Sequence, residues 1–311
     1  MRYGLPYKGS KNQIAKWLID QLPHADTFVD LFFGGGAVTH AALLSGKYKR
    51  FIINDIDARL PKLFLECAYG KHTVESHTEW ISREEFHRLK DTDAYVALVW
   101  SFGNNGIDYI YGKDIEQFKY DYHQAVYFGD LGGLERYGYK LTPSTEKTVY
   151  GRYLDYQRQI KQQVPTAQLE VASRQIEIER LQSLQSLQSY GTSYENVPIP
   201  PNSLIYCDIP YADTNCGKYD GFKHDLFYEW ALQQDNIFIS EYGMPSNFIE
   251  IANTEKVILS SADGNSQKAV ERLYTNRRTY DRMTPHQKAV IASNMAVQTS
   301  LFDYAFNPYQ D

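Results

Sequence analysis

The sequence predicts a doubly wound α/β domain that is split in two by an insertion, and two observations carry that expectation. Short β-branched or aromatic runs alternate with longer helical patterns over residues 27–69 and again over residues 204–259. Between these regions, residues from Trp100 to Gly151 lose the alternation and become rich in Gly, Tyr and charge. Strands alternating with helices favour a mostly parallel sheet covered on both faces. A stretch this long does not stay structureless inside a compact domain, so it reads as a small subdomain. In doubly wound enzymes, insertions at the carboxyl edge of the sheet usually handle substrate.

In chain order, Thr27 to Leu31 reads as the first strand, Ala37 to Ser45 as a helix, Phe51 to Asn54 as a strand and Ala58 to Tyr69 as a helix. The stretch from Tyr156 to Tyr190 looks helical and ends in the repeat Leu181-Gln182-Ser183-Leu184-Gln185-Ser186-Leu187. Its spacing of three suits packing against the domain better than a coiled coil. Pro198, Pro200 and Pro201 close the linker. A strand from Leu204 to Cys207, a helix near Leu226 to Gln233, a strand from Ile237 to Ser240, a helix near Ser246 to Asn253 and a strand from Lys256 to Leu259 complete the second half. The expected division is therefore residues 1–99 with 191–290 as a split domain, 100–190 as the insertion, and 291–311 as a tail.

The 311 residues are 43% apolar, enough for a sizeable core. No run of about eighteen apolar residues exists, and Met1 to Pro6 lacks the apolar stretch of a signal peptide, so a soluble, cytoplasmic protein is expected. Cys67, Cys207 and Cys216 show no CxxC spacing, which indicates neither a disulfide framework nor a metal site. A net charge of −6 argues against non-specific coating of nucleic acid, which needs clustered Lys and Arg. Local basic clusters do occur. Arg136, Lys140, Lys147 and Arg152 recur in the middle region, and Lys268, Arg272, Arg277, Arg278, Arg282 and Lys288 crowd the C-terminal part among tyrosines. Each reads equally as a solvated face. The 26 tyrosines suit base stacking as well as ordinary half-buried packing.

The chemistry gathers at three strand ends. The first strand runs into Asp30-Leu31-Phe32-Phe33-Gly34-Gly35-Gly36, whose glycine turn places backbone N–H groups and a helix N-terminus beside a ligand. A dinucleotide fingerprint needs Gly or Ala where Thr39 stands, and Asp30 would repel a pyrophosphate. The same acid would pair with the α-ammonium group of S-adenosylmethionine, which favours the methyl donor. Asp55, ending the second strand, is placed either to accept ribose hydroxyls or to form an Asx turn before the next helix. Asp208-Ile209-Pro210-Tyr211 follows the apolar run Leu204 to Cys207. The Asp208 carboxylate and the Ile209 main-chain oxygen can accept both hydrogens of an exocyclic amine and aim its lone pair at the donor methyl. Pro210 fixes the turn, and Tyr211 would stack on the ring. A target inside duplex DNA would have to be flipped out to reach them.

These motifs, in this order, resemble the D12 class of adenine-specific DNA methyltransferases, the Dam-like α group. Pro6-Tyr7-Lys8-Gly9-Ser10-Lys11 is similar to the family's N-terminal cofactor motif, Asp30 to Gly36 to its D-x-F-x-G-x-G element, Asn54-Asp55-Ile56 to its ribose motif and Asp208 to Tyr211 to its D-P-P-Y motif. Phe238 to Tyr242 and Glu271 to Asn276 also resemble family patterns. The resemblance implies a Rossmann-like methyltransferase sheet with an inserted, mostly helical target-recognition subdomain, and transfer from S-adenosylmethionine to N6 of adenine in double-stranded DNA. It assigns Tyr7, Lys11, Asp30, Phe32, Gly34, Gly36, Asp55 and Ile56 to the cofactor, and Asp208, Ile209, Pro210 and Tyr211 to the target base. It also implies that the insertion, including Trp100 to Gly106, reads DNA, with Asn104, Asn105, Arg136, Lys140, Arg277 and Arg278 as candidate contacts. One departure stands out: Ile209 replaces the motif's first proline, keeping the backbone acceptor but relaxing the turn. The same chemistry on cytosine N4 or on RNA, and an idle DNA-binding protein of the same fold, are the alternatives. At the C-terminus, Gln298-Thr299-Ser300-Leu301-Phe302 resembles the Q-x-x-L-F peptide that docks on bacterial sliding clamps, with Gln298, Leu301 and Phe302 as its anchors.

Overall fold

The computed structural model describes residues 3–72, 76–163, 186–211, 221–259 and 266–293. In chain order the elements are α1 (Ala15–Gln21), β1 (Thr27–Asp30), α2 (Ala37–Ser45), β2 (Arg50–Asn54), α3 (Arg59–Ala68), α4 (Arg83–Leu89), α5 (Ala94–Val99), α6 (Glu116–Phe128), α7 (Gly132–Glu135) and α8 (Val149–Gln163). They continue with β3 (Leu187–Tyr190), β4 (Ser203–Asp208), α9 (His224–Gln233), β5 (Ile237–Glu241), β6 (Phe248–Leu259), β7 (Ser266–Asn276) and α10 (Arg277–Arg282). The chain forms two compact units, one of residues 1–4, 10–62 and 181–311, the other of residues 5–9 and 63–180. The divisions fall at 62/63 and 180/181, so α4 and α5 pack with the inserted unit although both precede residue 100.

In the first unit seven strands form one sheet in the order β3-β2-β1-β4-β5-β7-β6. All pairings are parallel except those of β7, which runs antiparallel to both β5 and β6. The runs Thr27-Phe28-Val29-Asp30, Phe51-Ile52-Ile53-Asn54, Leu204-Ile205-Tyr206-Cys207 and Ile237-Phe238-Ile239-Ser240 are buried at every position. Continuous burial without alternation is the mark of parallel strands covered on both faces. Val29, Ile52, Ile205, Ile239, Phe227 and Ala231 belong to one apolar cluster of this sheet. The chain winds outward from β1 to β3, then restarts at β4 on the other side of β1. Strand order therefore reverses at the carboxyl ends of β1 and β4, the place where open α/β sheets bind their ligands.

Two elements differ from the sequence reading. Residues 246–253, expected as a helix, lie largely in β6, which pairs with β7 over its length apart from a bulge between Glu250 and Ala252. Phe248-Ile249-Glu250-Ile251-Ala252 is a short apolar run that fits both periods, and pairing with β7 settles it as strand. Leu187–Tyr190, placed at the end of an expected helix, is instead the edge strand β3, parallel to β2. Of the expected helix, residues 156–163 lie in α8, which begins earlier, at Val149. Residues 164–185, which contain most of the leucine repeat, lie outside the described residues.

The second unit is mostly helical. Ser82 and Glu85 form a reciprocal capping box at the start of α4, and Asp93 caps α5 by accepting from Val96 N–H. Tyr122, Ala125 and Val126 of α6 bury against Leu134 of α7 and Tyr156 and Ile160 of α8. Trp80 stacks on Tyr111 and meets Trp100 edge-on. Among the described residues, no helix is long and apolar enough to cross a membrane.

Candidate active site

Asp30 ends β1 and is 1% exposed. Thr39, in the first turn of α2, donates its hydroxyl to Asp30 Oδ2 at 2.6 Å, while Oδ1 has no hydrogen-bond partner among the described residues. Burial pushes the Asp30 carboxyl up to about 7, opposed by the Thr39 bond and more weakly by the Phe32 backbone N–H, and reinforced by the charges of Asp208 and Asp55. A buried carboxylate oxygen without a hydrogen-bond partner among the described residues is suited to a cation.

The glycine turn follows directly. Phe33 N–H donates to Asn54 O at 2.8 Å, and Gly36 N–H to Phe33 O at 2.7 Å. Gly34 and Gly36 have φ of 51° and 69°, which glycine alone adopts without strain. A side chain at Gly36 would strike the Phe33 ring, and one at Gly4 would strike the backbone of Gly35 and Ala37. The turn is thus pressed close on both sides. Asp55 Oδ2 accepts from Gly34 N–H at 2.8 Å and Oδ1 from Asp57 N–H at 2.9 Å. The Asx turn weighed from sequence is therefore formed, and the same carboxylate also clasps the glycine turn. Asn54 donates to both Leu31 O and Thr192 O and accepts from Thr192 N–H, which ties the ends of β1 and β2 to the segment after β3. Ile56 is 62% exposed, and half-buried Phe32 packs against Tyr194, Phe222 and Phe227.

The neighbouring strand end is built differently. Register places Asp30 opposite Tyr206, two residues before Asp208, and Leu31 N–H donates to Tyr206 O at 3.1 Å. Lys11, in the turn before α1, reaches Asp208 with Nζ 2.5 Å from Oδ1. The same Nζ lies 3.5 Å from Glu271 Oε1 and 4.6 Å from the centre of the Tyr211 ring. The Tyr211 hydroxyl donates to Glu271 Oε1, and Tyr242 meets the Tyr211 ring edge-on at 4.5 Å. Burial alone would lower the Lys11 ammonium, but Asp208 and Glu271 outweigh it and the net shift is upward. Lys11 is therefore a resident cation. His224 Nε2–H donates to Pro210 O at 2.7 Å and pins the turn. The Ile209 side chain is 2% exposed and joins the apolar cluster of the sheet, which accounts physically for an aliphatic residue where proline was expected.

Sequence reasoning named Lys11 as a cofactor residue and did not foresee its ion pair with Asp208. It gave no role to Glu271 or Glu241. Both are fully or nearly fully buried acids inside apolar strand runs, and an acid that interrupts such a run was the available signal. Burial pushes the Glu241 carboxyl up to about 7 against the opposing Tyr242 backbone bond, with Asp208 adding to the rise.

Tyr7 belongs to the second unit and is half-buried there. Asn104 and Asn105 turn their side chains inward on their own loop. Asn104 donates to Leu98 O, while Asn105 accepts from Ile107 N–H and Asp108 N–H and donates to Asp108. Arg136 reaches Asp121 at 2.8 Å, and Lys140 is exposed. In the first unit, exposed Arg277 and Arg278 pair with Asp281 and Asp235 at 3.0 and 2.9 Å. Gln298, Leu301 and Phe302 lie outside the described residues. Among the described residues no cluster of acids, His and Cys is arranged to hold a metal.

A family model described as D12 class N6 adenine-specific DNA methyltransferase matches residues 7–291, nearly the whole chain. The chain belongs to that family and is an adenine-specific DNA methyltransferase. A comparison with curated proteins gives no match.

Proposed function

We propose that this member of the D12 class takes the methyl group of S-adenosylmethionine to N6 of an adenine turned out of duplex DNA at a specific sequence. The observation that carries the reading is the adjacency of Asp30 and Asp208 at the strand-order reversal, one without a cation and one with its own.

The residues fit the donor. Asp30 Oδ1 offers a buried acceptor to an α-ammonium group, and the turn beside it takes positive φ at Gly34 and Gly36, which glycine adopts without strain. Asp55, at the end of β2, holds the glycine turn through Gly34 N–H and would meet the ribose hydroxyls in this reading. When bound, S-adenosylmethionine supplies an electrophilic methyl group on a sulfonium. Asp208, with 24% of its side chain exposed, and the Ile209 carbonyl would accept the two amine hydrogens and hold the nitrogen lone pair on line with that methyl. Tyr211 would stack on the adenine, a contact worth about 1 to 3 kcal/mol. Lys11 keeps a positive charge beside Asp208, which suits a hydrogen-bond acceptor better than a proton-abstracting base. As the N–CH3 bond forms, the S–CH3 bond breaks to leave S-adenosylhomocysteine, and the proton of the now acidic nitrogen passes to solvent water.

A duplex with 2-aminopurine at the target position tests the extrusion step, since its fluorescence rises when stacking in the helix is lost. A rise on binding is expected, and unchanged fluorescence at saturating protein would overturn it. Modification-sensitive sequencing of DNA from cells expressing the chain should find N6-methyladenine in one short context. Methylation scattered without context would contradict sequence specificity.

A further inference from the structure

Glu271 takes no part in the reading above, yet it is 0% exposed in β7 and touches two of the groups on which that reading depends. Its Oε1 accepts the Tyr211 hydroxyl and lies 3.5 Å from Lys11 Nζ. Lys11 Nζ in turn lies 2.5 Å from Asp208 Oδ1 and over the face of the Tyr211 ring. Lys11, Glu271 and Tyr211 form a closed circuit drawn from the N-terminal turn, the end of β4 and the distant strand β7, and Asp208 joins it through Lys11.

We propose that Glu271, acting with Lys11, is a positioning residue for methyl transfer. It fixes the tilt of the Tyr211 ring through the hydroxyl bond, and it holds the ammonium that orients the Asp208 carboxylate. The proposal rests on the assignment of Asp208 and Tyr211 to the target base. Two arguments support it. First, stacking alone requires only an aromatic ring, and burying a phenol hydroxyl on a carboxylate adds a fixed direction to that ring. Second, a buried ion pair costs about as much to desolvate as its attraction returns, and replacing a whole pair by apolar groups is often neutral or stabilising, so stability is a weak reason for placing a pair here. One ammonium serving two carboxylates also couples the target acceptor to the ring that would hold the base. A shift of either acid moves both.

The test uses the full chain, a duplex substrate and labelled S-adenosylmethionine, and compares wild type with Glu271→Gln, Tyr211→Phe and the double variant. In single turnover, each single variant should slow transfer by roughly tenfold or more, with donor Kd and DNA KM within about twofold of wild type. The double variant should be no slower than Glu271→Gln by more than about twofold, because the Tyr211 hydroxyl acts on transfer only through its charge-assisted bond to the Glu271 carboxylate, which Gln replaces with a neutral one. With 2-aminopurine at the target, Glu271→Gln should leave the bound base brighter than wild type, since a loosened ring stacks and quenches less. A wild-type rate in Glu271→Gln, equal losses of rate and donor binding, or multiplying effects would each overturn the inference. Should Glu271→Gln fail to fold, Tyr211→Phe decides alone, and a wild-type rate there overturns it. Wild-type protein that transfers no methyl to DNA would sink the functional reading itself, a result distinct from any of these.

Discussion

Asp30 and Asp208 end adjacent strands of one sheet, and their surroundings are opposite. Asp30 is walled in, bonded to Thr39 on one oxygen only, and its carboxyl is pushed up to about 7. Asp208 is partly open and has Lys11 2.5 Å away. The sheet supplies a counter-ion at one end and leaves the other to be completed. In physical terms the first is an acid whose ionisation awaits a ligand's charge, and the second is an acceptor set before any ligand arrives. In the proposed reading this difference separates donor chemistry from target chemistry.

The sharpest way to break the comparison is Asp208→Ala, which should cut methyl transfer by about a thousandfold or more while leaving donor affinity nearly intact. Residual transfer near wild type would reduce Asp208 to a turn residue. Lys11→Met comes next. It strands Asp208 and Glu271 without a cation, so thermal unfolding should show a loss of about 3 to 5 kcal/mol, the usual cost of breaking a buried pair, together with slower transfer. An unchanged unfolding midpoint would mean that the pair is not formed in solution.

Asp30→Asn sharpens the other side. Donor affinity should fall by roughly tenfold or more in calorimetry. The unliganded variant should be the more stable protein, with a pH dependence fixed by sign. The folded Asp30 carboxyl titrates near 7, above its ordinary value of 3.8, so between those limits the folded protein holds a proton that the unfolded chain has lost. Wild-type stability relative to the variant should therefore fall as pH rises from about 4 to 7, then level off. Donor binding should release a proton and tighten as pH rises toward 7. A pH-independent difference between the two proteins would contradict the buried, cation-free carboxyl. The smallest effect is expected from Ile209→Pro, within about threefold of the wild-type rate, because only the backbone oxygen is used and the turn is already pinned by His224.

What the sequence disclosed follows the range of the forces involved. β1, α2, β2, β4 and β5 were legible because each is a local pattern, a buried β-branched or aromatic run or an Ala-rich helical stretch closed by glycine at residue 46. The glycine turn and the Asp208 tetrapeptide were legible because their chemistry is contiguous. β6 was misread because Phe248 to Ala252 satisfies two periods, and only a partner strand distinguishes them. β3 was missed because a Leu-Gln-Ser-Tyr edge strand owes its identity to β2. The Asp208–Lys11–Glu271 cluster was invisible for the same reason. Its members are distant in sequence, and nothing local marks a lysine that will be buried between two acids.

The most direct measurement is the identity of the methylated nucleoside after a labelled donor, duplex DNA and either wild-type protein or Asp208→Ala are combined and the DNA is digested. The account expects label in N6-methyladenine with wild type and none above background with the variant. Label in N4-methylcytosine, or equal labelling of adenine by both proteins, would contradict the claim that the Asp208 carboxylate and the Ile209 carbonyl present adenine to the donor.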